Sequence, residues 1–177
     1  MQILNGLHIV NYCHKNCVPL KNIMRLPKEE AFALAAEMAR QNPGTTAFGR
    51  FADFHNYYPE RLDIDARLYR RFIQLGGEPA EAHPLSFVLE GSEMLDGWFG
   101  HGTVTRLPLD AVPDRQISFT YGDSMTIAKK QGDFTMLTKA MLADAMAAFG
   151  GTAEAFVRKA NKAYRYIEVQ VWCNIPI

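Results

Sequence analysis

The clearest structural signal in the chain is the stretch Tyr166-Ile167-Glu168-Val169-Gln170-Val171-Trp172-Cys173. It is rich in β-branched and aromatic residues, the types that fit a pleated sheet. Successive side chains of a strand point to opposite faces, so the odd-numbered residues from Ile167 to Cys173 share one apolar face. The even-numbered residues, Glu168 among them, share the other. One purely apolar face over so long an alternation predicts an internal strand.

Three further segments have the composition of strands: residues 86–90, 102–107 and 116–121. The connection from Pro108 to Arg115 is too short for a helical crossover, which indicates that the two strands it joins are antiparallel. The strands are grouped rather than alternating with helices. This arrangement predicts an α+β domain with a mainly antiparallel sheet of four to five strands.

Helical periodicity marks the segments around this sheet. Residues 27–41 form one such segment, and a second is expected to start at Asp63 or Asp65 and end at Gly76-Gly77. Residues 135–149 and 152–163 flank Gly150-Gly151 and predict an αα-hairpin packed against the sheet. This hairpin carries three methionines, which adapt to irregular surfaces, so part of its apolar stripe is a candidate homodimer interface.

Length and charge restrict the class of protein. A chain of 177 residues fits one domain, and 19 basic residues balance 19 acidic ones. Such a balance does not attract nucleic acid or an anionic membrane. No apolar run approaches the roughly 20 residues that cross a bilayer, and the first residues lack the pattern of a secretory signal. We therefore expect a cytoplasmic protein with neither a nucleic-acid nor a membrane partner.

Met24 resembles a natural first residue of the protein. The residues that follow it open the first predicted helix. We therefore expect residues 1–23 to be an N-terminal extension that packs loosely, ahead of a single α+β domain at 24–177.

The cysteines do not form a recognisable framework. There are three, an odd count that suits reduced thiols in a cytoplasm. His8, Cys13, His14 and Cys17 lie within ten residues, but a structural zinc site usually needs a second pair of ligands elsewhere. The prediction is three reduced, unligated thiols, with no metal and no cofactor.

Aromatic and titratable residues are concentrated between Phe51 and Gly122, which suggests a site there. His55 could act as a general base, since its ring titrates near neutral pH. Tyr57 offers a stacking surface, Arg61 a fixed cation and Glu168 a carboxylate on a rigid strand. The hypothesis is that these four side chains meet where residues 54–61 contact the polar face of the last strand. The alternative is that all four lie at the surface and contact only water and one another.

The segment from Phe54 to Phe99 is similar to small uncharacterised bacterial proteins, a likeness that supplies no function. The order of His55, a helix ending at Gly76-Gly77, residues 83–89 and a turn at 92–99 also resembles ADP-ribosyltransferase-like domains. That resemblance implies an enzyme acting on NAD, with Glu168 as its catalytic glutamate. The chain departs from the family pattern in two places: Glu168 precedes Gln170 instead of following it, and Phe87 stands where the family has a nicotinamide-stacking Tyr.

Two functions from different classes follow. The favoured one is a small bacterial cytoplasmic binding or interaction protein, with a polar-aromatic pocket lined by Tyr57, Arg61 and Phe87 and a protein partner or small ligand. The alternative is an ADP-ribosyltransferase-like enzyme that uses NAD, with His55 and Glu168 as the catalytic candidates.

Overall fold

Residues 2–175, the part of the chain that the computed structural model describes, form one six-stranded sheet in the order β3-β1-β2-β6-β4-β5. Every strand pair is antiparallel. The α+β class and the antiparallel sheet are confirmed, with six strands rather than four or five. The strands are β1 (His8–Cys13), β2 (Leu85–Leu89), β3 (Thr103–Pro108), β4 (Ile117–Tyr121), β5 (Met136–Leu137) and β6 (Ile167–Val171).

Seven α-helices pack around the sheet within the described residues. Four of them begin with a side-chain cap, in which the hydroxyl or carboxylate of Ser92, Asp123, Thr138 or Thr152 accepts a backbone N–H of the first turn. The helices are α1 (Lys28–Gln41), α2 (Gly49–Ala52), α3 (Phe54–Gln74), α4 (Glu93–Trp98), α5 (Ser124–Gln131), α6 (Lys139–Phe149) and α7 (Ala153–Tyr164).

Helix α3 starts earlier than predicted. It begins at Phe54 rather than at Asp63 or Asp65, and Pro59 lies inside it. Proline removes only one backbone donor, and the apolar spacing of Phe54, Ile64 and Leu68 continues through it. Residues 54–62, which precede the predicted start, therefore lie on the first turns of α3.

The apolar face of the sheet is covered by α6 and α7. Phe87, Phe119 and Val169 of the three central strands are almost completely buried there, packed with Leu142 and Met146 of α6. β6 lies between β2 and β4, which confirms that the last strand is internal. Its odd-numbered residues line this core as predicted.

The second face of the sheet lies under α3. Phe72 of α3 stacks on the Trp172 indole, with ring centroids 5.8 Å apart, and Leu68 packs beside them. The even-numbered residues of β6 point to this face and are also buried. Both faces of the central strands are therefore removed from water, and the polar side chains on the α3 side need partners inside the protein.

The first residues of the chain are part of this sheet. β1 lies between β3 and β2, and its Ile9 side chain is completely buried. Residues 1–23 were expected to pack loosely, whereas Leu7, Ile9 and Val10 within this segment are buried. The run from His8 to Cys13 contains Ile, Val and Tyr, which suit a strand, and its partners come from distant parts of the chain.

The helix predicted to start at residue 135 begins at Lys139. Met136 and Leu137 instead pair with Thr120 and Phe119 as a two-residue edge strand. Met136 and Met146 are buried in the cores on opposite faces of the sheet, and only Met141 is substantially exposed. Two of the three methionines that suggested a homodimer surface therefore serve the interior.

Candidate functional site

Arg61 and Glu168 are both buried in the layer between α3 and the sheet. Arg61 is buried on α3 and forms an ion pair with Asp65, one helical turn further on. Burial opposes the charge of the guanidinium, but Asp65, and then Tyr57 and Glu168, outweigh it and raise the pKa of Arg61. Three of the four residues predicted to form a site therefore lie on the same side of the sheet, but no hydrogen bond or ion pair joins Tyr57, Arg61 and Glu168 to one another among the described residues.

Glu168 is the acceptor at the centre of this layer. Its carboxylate accepts hydrogen bonds from the Ser124 backbone N–H at 2.7 Å and the Thr120 hydroxyl at 3.2 Å. Burial raises the pKa of Glu168, the nearby Asp123 raises it further, and Arg61 opposes both. The side chain is 5% exposed, so a bound molecule would have to displace α3 or the 122–124 turn to reach it.

A directional chain of hydrogen bonds runs along β4 and β6 to this carboxylate. The Trp172 indole N–H donates to Ser118 Oγ at 2.9 Å, and the Ser118 hydroxyl donates to Gln170 Oε1 at 2.9 Å. Gln170 Nε2 donates to Thr120 Oγ1 at 3.0 Å, and Thr120 can donate to Glu168. Each of these groups has a partner within the protein, so the arrangement stabilises the fold and leaves few donors for a ligand.

Asp65 and His83 form a second polar contact in the same layer. Asp65 is completely buried, and its Oδ2 lies 2.7 Å from His83 Nδ1. His83 comes from the loop before β2, so the contact attaches this loop to α3. Sequence reasoning missed Asp65, although its spacing from Arg61 at i and i+4 on a helix was a usable signal; no local signal pointed to His83.

His55 lies apart from Glu168. Its ring contacts Phe32 of α1, with centroids 5.0 Å apart, and the side chain is exposed. Together with Lys28 and Glu29, these two residues line an open hollow of about 270 Å³. Glu168 is buried under α3, and among residues 2–175 no hydrogen bond or ring contact joins it to His55.

Phe87 is separated from the other ligand-binding candidates by the sheet itself. It pairs with Val169 on β6 and packs in the core under α6 and α7. Tyr57 and Arg61 lie on the α3 side. One pocket lined by all three residues, as the sequence suggested, is therefore not formed.

Exposed apolar side chains gather on α4 and the neighbouring strand β3. Met94 and Trp98, one turn apart on α4, are 41% and 43% exposed, and Val104 of β3 is 50% exposed. Val104 lies opposite Tyr12 of β1, so its side chain points to the sheet face on which α4 packs through Leu95. We call Met94, Trp98, Val104 and Arg106 the α4–β3 surface.

The backbone of β3 is open along its outer edge. Leu109 N–H donates to Leu7 O, which sets the alternation of hydrogen bonds between β1 and β3. Counting from that pair, Thr103, Thr105 and Leu107 bond to β1, while the N–H and C=O groups of Val104 and Arg106 point outward. Among residues 2–175, none bonds to these four outward groups.

No family model, curated protein or solved structure matches this chain. Within residues 2–175, no cluster of three or more His, Cys, Asp or Glu side chains is arranged to hold a metal ion. None of the described helices is both long and apolar enough to cross a membrane. Functional inference therefore depends on the geometry of the surfaces described above.

Proposed function

We propose that the protein is a protein-binding accessory module that captures an extended segment of its partner along β3. The observation that supports this most directly is the open edge of β3, on which Val104 is half exposed. A strand laid antiparallel to β3 would form four hydrogen bonds with the outward groups of Val104 and Arg106. This proposal keeps the binding function that the sequence favoured. It places the binding surface on the outer edge of β3 and on α4 instead of in a polar-aromatic pocket.

The side chains next to the edge suit such a partner. Exposed long strands are usually protected in proteins that do not use them, by prolines, charges or covering elements. β3 has Pro108 at its end and Arg106 within it, but Val104 is an exposed apolar side chain on this edge, and Trp98 is exposed on α4, the preceding helix. Tryptophan is enriched among residues that dominate binding energy, and Arg106 adds a cation held by Glu90 at 3.2 Å. The preferred segment is therefore extended and apolar, with an acidic residue near Arg106.

The interaction surface can be identified by site-specific photo-crosslinking in cells that naturally express the chain. A photoreactive residue at position 104 should capture one partner repeatedly. The same residue at position 73 is the matched control, because Ile73 is exposed to a similar extent on α3. Capture of the same proteins from both positions would show that β3 does not bind a partner specifically.

The purified partner then allows a test of the backbone contacts. Arg106→Pro removes an outward N–H and leaves the β1–β3 hydrogen bonds intact, while Arg106→Ala removes the same side chain and keeps the N–H. We expect the proline variant to bind at least about tenfold more weakly than the alanine variant in calorimetry. Equal affinity of the two variants would show that the partner does not add a strand to β3.

The transferase hypothesis is tested separately. It requires NAD to reach Glu168, which is buried and already accepts two hydrogen bonds. Incubation of the protein with NAD, followed by chromatography for released nicotinamide, distinguishes the two functions. A binding module releases none above the rate in buffer. Turnover that Glu168→Gln abolishes would establish the enzyme instead.

A further inference from the structure

The hydrogen-bonding groups on the outer edge of β3 form a set that is complementary to itself. The outward N–H and C=O groups belong to Val104 and Arg106, while Thr105, which lies between them, bonds to β1. The next outward residue is Pro108, which has no N–H and ends the row of donors. The outward donors and acceptors are therefore arranged evenly about Thr105.

A second copy of β3, running antiparallel to the first, matches this set. A twofold axis at Thr105 places Val104 of each copy opposite Arg106 of the other. Residues opposite each other in a hydrogen-bonded antiparallel pair exchange both of their N–H···O bonds. The two pairs therefore use every outward N–H and C=O group of Val104 and Arg106 in both copies. A contact in which the same patch serves both subunits is that of a twofold dimer.

The side chains of β3 suit so close an approach. No residue of β3 is buried, and Val104 is half exposed. Thr105 would face its own copy, and threonine pairs across antiparallel strands are favourable. Val104 would lie beside the aliphatic part of Arg106, whose charged end is held by Glu90 at 3.2 Å. The pairing therefore covers exposed apolar surface without burying an unpaired charge.

Electrostatic repulsion does not oppose contact between identical copies. Arg106 is the one charged residue of β3, and its ion pair with Glu90 neutralises each edge locally. The whole chain has 19 basic and 19 acidic residues and a formal net charge of zero. A net charge far from zero keeps proteins monomeric, and here that repulsion is missing.

We propose that two copies of the chain pair through β3 in an antiparallel, twofold-symmetric contact centred on Thr105, and that the partner segment displaces the second copy. The two six-stranded sheets then join into one continuous sheet. The displacement step rests on the proposed function, because the second copy and the partner use the same edge. A few hydrogen bonds over a small area make a weak, reversible contact. The second copy therefore protects the edge until a partner with more complementary side chains replaces it.

A charge swap at Thr105 tests the symmetry, because this residue would meet itself across the axis. Thr105→Lys places like charges opposite each other, and so does Thr105→Glu. In sedimentation velocity at low salt, we expect the wild-type chain to form a concentration-dependent dimer. Each variant alone should dimerise about fivefold more weakly or worse. An equimolar mixture of the two variants should restore dimerisation, since opposite charges then face each other.

Thr103 supplies the matched control, because it lies on the same face of the same strand. In the proposed pairing the Thr103 residues of the two copies are about 14 Å apart, too far for direct contact. The same two substitutions at Thr103 should therefore show no recovery on mixing. Equal recovery at positions 103 and 105 would overturn the axis at Thr105. Far-ultraviolet circular dichroism checks that all four variants are folded.

Amide exchange of the wild-type chain, followed by nuclear magnetic resonance, is a second test that needs no substitution. The amide protons of Val104 and Arg106 should exchange more slowly as the concentration rises, whereas that of Thr105, which bonds to β1 in either state, should change less. A strict monomer at about 1 mM would overturn the proposal, and so would a dimer in which neither amide is protected. Self-pairing without partner capture from position 104 would contradict the proposed function alone. Capture without self-pairing would contradict only the dimer.

Discussion

Glu168 shows how one buried carboxylate couples stability to pH. Its pKa is raised in the folded state, whereas in the unfolded chain it titrates near its ordinary value of about 4.3. Between these two values the folded state binds more protons than the unfolded state. Stability from this group is therefore present at low pH and is lost as pH rises through the folded pKa.

Glu168→Gln should remove this dependence, since a glutamine does not titrate and its carbonyl can still accept the Ser124 N–H. We expect the melting temperature of the variant, relative to wild type, to be more favourable at pH 8 than at pH 5. Thermal denaturation at the two pH values measures this, with Glu30→Gln at an exposed position as the control. A difference that stays the same at both pH values would contradict the raised pKa.

At the level of single residues, Arg61 and Glu168 lie on the same side of the sheet, as the site hypothesis requires, whereas His55 and Phe87 are placed elsewhere. Periodicity explains both of these positions. His55 and Arg61 are six positions apart on α3, a rotation of about 240°, so the two side chains leave the helix in different directions. Phe87 follows the two-residue repeat of a strand and faces the opposite side of the sheet from Glu168. Placing the start of this helix at Asp63 or Asp65 concealed the first of these constraints.

Among the elements, β6 gives the sharpest test of the architecture. Val169 is completely buried at the centre of the sheet. Val169→Asp would place an unpaired charge there, and we expect a loss of about 4 kcal/mol or more. Val104→Asp is the matched control, because the same change on the exposed edge strand should cost about 1 kcal/mol or less. Urea denaturation compares them, and similar losses would refute the internal position of β6.

The contribution of β1 can be measured in the same way. Ile9→Ala removes three carbons from a completely buried position and should destabilise the protein by about 2–5 kcal/mol. Val18→Ala, at a side chain that is 64% exposed only nine residues later, should change stability by less than about 0.5 kcal/mol. If the two variants have the same urea midpoint, the start of the chain is not part of the core.

The long elements could be predicted because their patterns are local. β6 and α7 contain enough residues to repeat their periodicity, and both were placed within a few residues of their observed bounds. β1 and β5 could not be predicted in the same way. β5 has two residues, too few for any periodicity, and it exists only because β4 offers an edge. β1 has a strand-like composition, but its burial depends on partners more than 70 residues away.

Across the whole molecule, the strand order joins the two ends of the chain. β1 and β6 both contact β2, so the first and the last strand stabilise the same central strand. Such an order cannot be read from the sequence, because each strand only specifies which of its faces is apolar and not which neighbour it chooses. Removal of either β1 or β6 would therefore expose one edge of β2.

Deletion of residues 1–23 should therefore abolish cooperative folding rather than trim a loose extension. The loss of β1 leaves β3 without its only described partner and opens one edge of β2. The full chain carries an internal probe, because Trp172 is completely buried while Trp98 is exposed. In a Trp98→Phe background, we expect Trp172 fluorescence and far-ultraviolet circular dichroism to report one coincident urea transition, as a two-state domain requires. The truncated chain should show no such transition and should aggregate. If it unfolds cooperatively at an unchanged midpoint, residues 24–177 fold alone and β1 is an accessory strand.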